Sequence, residues 1–265
     1  MKTTFSRSYF CTVALLAALW ASTAAQAQSS CSSDKQPVPS AILERFISAD
    51  CATCWAISTL PANAKGQASL DWIVPSTQGD EAALATAATL DASARLASVG
   101  LAWTASKQDM QTSSVLPSGQ AARRGFKAAD STVRVAHGLP VNGYLGTSIE
   151  FKPSVALRSW ATMPIKQTEL GYNTQVQAYL VLIETLPAGA EGSNIERNLV
   201  RNVLITPWDL RAQLLKPPQD GFKLLFESRP MSLPQGFNPD RLRVMGWVQD
   251  AQGKVLATAQ SRCAP

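Results

Sequence analysis

The chain of 265 residues carries one histidine, His137, and that scarcity removes most metal centres and most Ser-His-Asp chemistry. Its 15 Gly and 16 Pro are too few for a collagen-like repeat, and 5 Cys are too few for a small disulfide-dense scaffold. Charged residues make up only 16% against 46% hydrophobic, which excludes a disordered acidic tail. Past the N-terminus no apolar run approaches the ~20 residues needed to cross a bilayer. At roughly 150 residues per domain, the length fits one large domain or two modest ones, enough chain to bury a real core.

Residues 1–27 read as a secretory signal. Lys2 and Arg7 form the positive start, Val13–Trp20 the apolar stretch, and Ala25-Gln26-Ala27 the small-residue cleavage pattern. Cys31 lies four residues after Ala27, too late for a lipoprotein anchor. Cleavage removes Cys11 and two positive charges and leaves a mildly basic chain whose largest cationic cluster is the pair Arg123–Arg124. That pair reads as solvated loop, so the chain is expected to bind no nucleic acid, to lack a spanning segment after cleavage, and to be periplasmic or secreted.

Four cysteines remain, and an even number in an exported chain predicts disulfides. The spacing favours Cys51 with Cys54 and Cys31 with Cys263. The second bridge ties the start of the mature chain to its end, a structural staple worth on the order of 5 kcal/mol by chain entropy. Cys51-Ala52-Thr53-Cys54 is more informative. There is no second C-x-x-C and no nearby His, which argues against zinc. The apolar-rich run Ala41–Ile47 predicts a strand feeding into Cys51, and Trp55–Leu60 a short helix stopped near Pro61. Cys51 then sits at a helix start, where unpaired N–H groups favour the attacking thiolate, and Cys54 is placed to resolve a mixed disulfide.

Strand, C-x-x-C, helix resembles the opening of the thioredoxin superfamily. The segment Leu43–Cys54 is similar to the signature of a secreted bacterial thioredoxin-like family known only as a domain of unknown function. Leu70–Pro75 stands where its second strand belongs, Gly138–Tyr144 resembles its proline loop, and Gly192–Val203 its C-terminal β region. The resemblance implies that Pro140 is a cis proline facing the dithiol and shaping the groove for a substrate chain, and that Glu44 is a buried acid beneath the dithiol, moving protons. It implies thiol-disulfide exchange with a protein substrate or redox partner and no cofactor. The pair between the cysteines is Ala52–Thr53, without the His of strong oxidants.

The rest is scaffold. Asp80–Val99 predicts a helix ended by Gly100, residues 104–130 a long loop or short helices, and Val133–Ala136 and Tyr144–Phe151 strands. After Lys152 the chain reads as β over 175–185, 199–208, 221–228, 242–250 and 254–260, the last two a hairpin. Val176–Ile183 reads as a central strand, and Trp208 and Trp247 as core. The expectation is therefore an α/β thioredoxin-like domain over 28–152 followed by an all-β, sandwich-like domain over 153–265. Two rival functions stand beside exchange: a non-catalytic envelope-binding protein with a permanent Cys51–Cys54 bridge, and copper handling by Cys51, Cys54 and His137.

Overall fold

The computed structural model describes residues 31–59, 65–102, 110–115, 131–163, 174–215 and 224–263. The expected signal segment and Arg123–Arg124 lie outside them.

Eleven strands form two sheets among the described residues. In chain order they are β1 (Cys31–Ser32), β2 (Ala41–Ser48), β3 (Gln67–Val74), β4 (Met110–Val115), β5 (Thr132–Val141), β6 (Tyr144–Lys152), β7 (Gln175–Leu186), β8 (Arg197–Asp209), β9 (Leu225–Ser232), β10 (Leu242–Asp250) and β11 (Val255–Gln260). One sheet has four strands in the order β1-β5-β6-β9; the other has seven, in the order β11-β10-β7-β8-β3-β2-β4. Four short helices accompany them: α1 (Ala52–Trp55), α2 (Leu90–Ser98), α3 (Val155–Thr162) and α4 (Leu210–Leu215).

This architecture corrects the expected α/β thioredoxin-like domain. Such a fold needs helices long enough to cover both faces of a sheet. The longest helix among the described residues has 9 residues, and much of one sheet face is covered by the other sheet. The C-x-x-C and its flanking strand carry the α/β expectation, yet they describe only one corner of a mostly β molecule. Both sheets also draw strands from either side of residue 152, where the domain boundary is expected.

The β-reading of the second half matches the strands found. β7 alternates around a doubly buried axis. Val176, Ala178, Leu180 and Leu182 pack with Val135, Leu145, Ile149 and Phe151 of the four-stranded sheet. Tyr179, Val181 and Ile183 pack on the other face with Phe46, Trp72, Met245 and Trp247, under Ala92 and Leu96 of α2. A strand buried on both faces loses the polar alternation of a half-exposed one, which is how the sequence marks it as central. Trp208 and Trp247 are buried core residues, as their apolar surroundings predict.

Local signals explain two departures. The expected helix over 80–99 is shortened to α2 because Thr89 caps it, its hydroxyl accepting the Ala92 N–H at 3.1 Å; Gly100 ends it at φ 76°. The segment Gly138–Tyr144 is a β-hairpin connection. Asn142 (φ 50°) and Gly143 (φ 78°) supply the two left-handed residues of a tight turn between β5 and β6. Pro140 pairs with Leu145 across that hairpin, and every peptide bond among the described residues is trans.

The two sheets come close together at Gly246. A Cβ there would lie 2.5 Å from Val135 Cγ1 and 2.9 Å from Ile149 Cδ1. Gly246→Val is expected to lower stability by about 1–3 kcal/mol or more, read as a reduced urea midpoint at unchanged m-value; an unchanged midpoint would show that the sheets separate freely at this point.

Candidate functional site

Cys51 follows β2 and caps α1, but the helix spans Ala52–Trp55, across the C-x-x-C itself, and not the expected Trp55–Leu60. Cys51 and Cys54 form a disulfide, and Cys31 and Cys263 form the second. Within the C-x-x-C pair the sulfurs differ. Cys51 is buried and Cys54 half-buried. Cys51 Sγ accepts the Cys54 N–H at 3.2 Å and, being bonded in a disulfide, can only accept from the Thr53 hydroxyl at 3.4 Å. Two donors aimed at one sulfur stabilise negative charge there. Burial and hydrogen bonding thus set Cys51, the inner and hydrogen-bonded cysteine, apart from the half-buried Cys54.

The turn sits on a small core of Ile47, Ala49, Ile73, Leu186 and Leu199, closed by Trp55. Its polar side is held by Arg197, at the start of β8. The fully buried Arg197 donates through Nη2 to the carbonyl oxygens of Cys54 at 2.8 Å and Trp55 at 2.9 Å, its guanidinium 5.0 Å from the Trp55 ring centroid. The same side chain donates through Nη1 to Asp71 at 3.2 Å. Asp71 also takes a two-pronged bond from Arg45, at 2.7 and 2.6 Å, and accepts the backbone N–H of Asn198 at 2.8 Å. Burial pushes the Arg197 guanidinium below its ordinary value; Asp71 opposes that shift and Arg45 adds to it. The β7–β8 connection completes the frame: Glu191 O accepts from the Trp55 indole at 2.8 Å, and Asn194 donates to Ala56 O.

Sequence reasoning missed Arg197, Asp71 and Arg45. Asp71 and Arg45 interrupt apolar strand runs, and that interruption is the signal available: a charge inside a buried strand needs a partner.

Glu44 is fully buried, yet it does not lie beneath the dithiol. Arg95 of α2 binds its two carboxylate oxygens at 2.8 and 2.7 Å. Alternation along β2 puts Glu44 on the face of Phe46, toward α2, and Ile47, which clusters with Cys51, on the opposite face. Arg95 is further held by Tyr179 and Trp247, whose ring centroids lie 4.9 and 5.2 Å from its guanidinium carbon. Glu44 is therefore the anion of a structural ion pair. Pro140 belongs to the other sheet, at the β5–β6 turn, and its peptide bond is trans where the resemblance implied cis.

His137 lies with the other disulfide. It pairs in register with Cys31 across β1 and β5, which separates it from the copper set expected with Cys51 and Cys54. Its Nδ1 lies 3.0 Å from Gly138 O. Burial pushes His137 below its ordinary value of 6.5, with the Gly138 carbonyl pulling the other way.

No family model, curated protein or solved structure matches the chain.

Two outcomes follow. Asp71→Ala leaves two buried guanidiniums without their anion and is expected to cost about 3–5 kcal/mol in denaturant unfolding; a loss within ~0.5 kcal/mol would remove Asp71 from its central role. For His137, the unfolded chain takes up a proton as pH falls through 6.5 while the folded chain resists. Its contribution is complete above that value and is lost as pH drops below it, down to the folded value. As this is the only His, the urea midpoint should fall between roughly pH 7.5 and 5, and His137→Gln should flatten that slope.

Proposed function

We propose that the chain carries out thiol-disulfide exchange through Cys51 and Cys54, with a protein thiol or disulfide as partner. One observation carries the reading: a half-buried Cys54 is bonded to a buried Cys51 whose sulfur accepts two hydrogen bonds. An incoming partner thiolate attacks Cys54 Sγ, the Cys51–Cys54 bond breaks, and Cys51 leaves as a thiolate held by the Cys54 N–H and the Thr53 hydroxyl. A second partner thiol then displaces Cys54, so two electrons and two protons pass from the partner dithiol to the chain. In the reverse direction Cys54 attacks and Cys51 resolves. Stabilising the leaving thiolate speeds attack on its neighbour, since a lower leaving-group pKa leaves faster. Two disulfides and the lack, among the described residues, of a helix long and apolar enough to cross a membrane are compatible with an exported protein.

The second reading, a permanent bridge in an envelope-binding protein, is favoured by a different observation. Arg197, Glu191 and Asn194 bind the backbone or the Trp of the turn from three positions, which resists the movement that exchange demands.

The two readings separate on the reduction potential of Cys51–Cys54, measured in graded thiol/disulfide buffers with thiol trapping and mass spectrometry. Exchange predicts a value between roughly −120 and −270 mV; a value below about −300 mV marks a structural bridge. Single substitutions then assign the roles. Cys51→Ser, which leaves the accessible Cys54, should capture a mixed disulfide with a disulfide-bearing peptide. Cys54→Ser should capture little, and the opposite pattern would return the attacking role to Cys51.

A further inference from the structure

The only histidine of the chain stands against the Cys31–Cys263 bridge. Cys31 Sγ, Cys263 Sγ and a ring nitrogen of His137 all lie within 4.8 Å of one another. Cys31 and His137 are buried, and Cys263 is exposed. The imidazole is 5% exposed, and its Nε2 is a buried nitrogen without a hydrogen-bond partner. A buried ring nitrogen usually finds a partner, so this one needs a reason. Its other nitrogen supplies part of it. Nδ1 faces the Gly138 carbonyl at 3.0 Å; a carbonyl only accepts, so the proton sits on Nδ1 and the free lone pair on Nε2. A backbone carbonyl fixing one ring nitrogen while the other is left open is the arrangement that orients metal-binding imidazoles. The strand helps: the β5–β6 register slips between His137 and Pro140, which re-aims this stretch of β5.

We propose that reduction of Cys31–Cys263 converts this cluster into a binding site for a monovalent copper ion, with Cys31, Cys263 and His137 Nε2 as its ligands. In the oxidised chain the sulfurs are bonded to each other at 2.03 Å and offer no thiolate. Cys263, the exposed member of the pair, is the point of entry for a dithiol reductant. A donor thiolate attacks Cys263 Sγ, the Cys31–Cys263 bond breaks, and Cys31 takes the electron pair and a proton. The donor's second thiol then displaces Cys263, so the donor ends as a disulfide and two electrons and two protons have passed to the chain. Cu(I) then binds both sulfurs and displaces their two protons into solvent.

The donor set selects the ion. Two thiolates and one imidazole make a soft, three-ligand set, which suits Cu(I); a structural Zn(II) site is closed by four ligands. Ligand bonds of about 2.0–2.3 Å require donor atoms roughly 3.5–4 Å apart, between the bonded sulfur distance and the present spread of the cluster. Little movement is needed, because the fold anchors all three: Cys31 in β1, His137 in β5, and Cys263 directly after the Ser32–Arg262 bridge. The site is separate from Cys51–Cys54 and stands whether or not that pair turns over.

The test uses the full chain with Cys11→Ser, Cys51→Ser and Cys54→Ser, so that one cysteine pair remains. The protein is reduced with a phosphine, desalted, and titrated anaerobically with Cu(I) supplied as a coloured chelator complex. The expected result is one Cu(I) per chain for reduced protein and none for oxidised protein. X-ray absorption should show two sulfur and one nitrogen neighbours. His137→Gln should lose the nitrogen neighbour and weaken binding at least ~10-fold, and Cys263→Ser, at an exposed position, should abolish stoichiometric uptake without unfolding the chain. Equal uptake by oxidised protein, unchanged affinity and nitrogen signal in His137→Gln, or retention of Zn(II) in place of Cu(I) would each overturn the assignment.

Discussion

The buried carboxylate of Asp71 is the interaction on which the rest of the molecule depends. It lies in β3, at the seam where strands from the two halves of the sequence meet. β3 and β8 run parallel and share a single ladder position, Asp71 with Leu199. Main-chain pairing alone makes that seam weak. The side chain of Asp71 closes it by accepting the Asn198 N–H and binding Arg197, while it holds Arg45 of β2 on its other side. One carboxylate thus joins β2, β3 and β8 in water's absence. Ion pairs so placed cost desolvation and are retained where removing one member is worse than keeping all.

The same network reaches the dithiol. Arg197 is held by Asp71 and in turn holds the carbonyls of Cys54 and Trp55. The Cys51–Cys54 turn is therefore fastened to the centre of the larger sheet instead of riding on a loose loop. This rigidity suits either use of the pair. A fixed turn pre-organises the donors around Cys51 Sγ, and it also protects a permanent bridge. On the opposite face Glu44 and Arg95 do comparable work for α2, which they attach to β2 under the stacked rings of Tyr179 and Trp247, 4.7 Å apart.

The two disulfides sit in contrasting places. Cys51–Cys54 closes a local turn on an apolar pad, with hydrogen bonds to its inner sulfur. Cys31–Cys263 spans a separation of 232 residues and lies beside an imidazole with an open nitrogen. A long loop gives the second bridge the larger entropic effect on the unfolded chain, so reducing it lowers stability against unfolding while it frees two sulfur ligands.

Much of this was legible in the sequence, and the limits have physical causes. Alternation and turn residues located most of the strands of the second half, and cysteine spacing paired both disulfides, because these signals are local or arithmetic. Apolar doubling along Val176–Ile183 marked a central strand for the same reason. Which strands lie side by side is another matter. Nothing in Leu70–Val74 announces that β8 joins it, so a C-x-x-C motif suggested a helix-covered domain where a two-sheet one exists. Nor does a local pattern say what a buried charge meets. Glu44 was legible as a buried acid, but its partner, Arg95, comes from a helix 51 residues away, and strand alternation turns it from the dithiol. His137 was visible as a lone imidazole, and only the pairing of β1 with β5 sets it against Cys31. The sequence by itself determined most strands of the second half and the two bridges; tertiary structure decided the neighbours, and made a strand of Met110–Val115 where a loop or short helices were expected, because contacts between distant strands are chosen by burial and charge pairing that no short window contains.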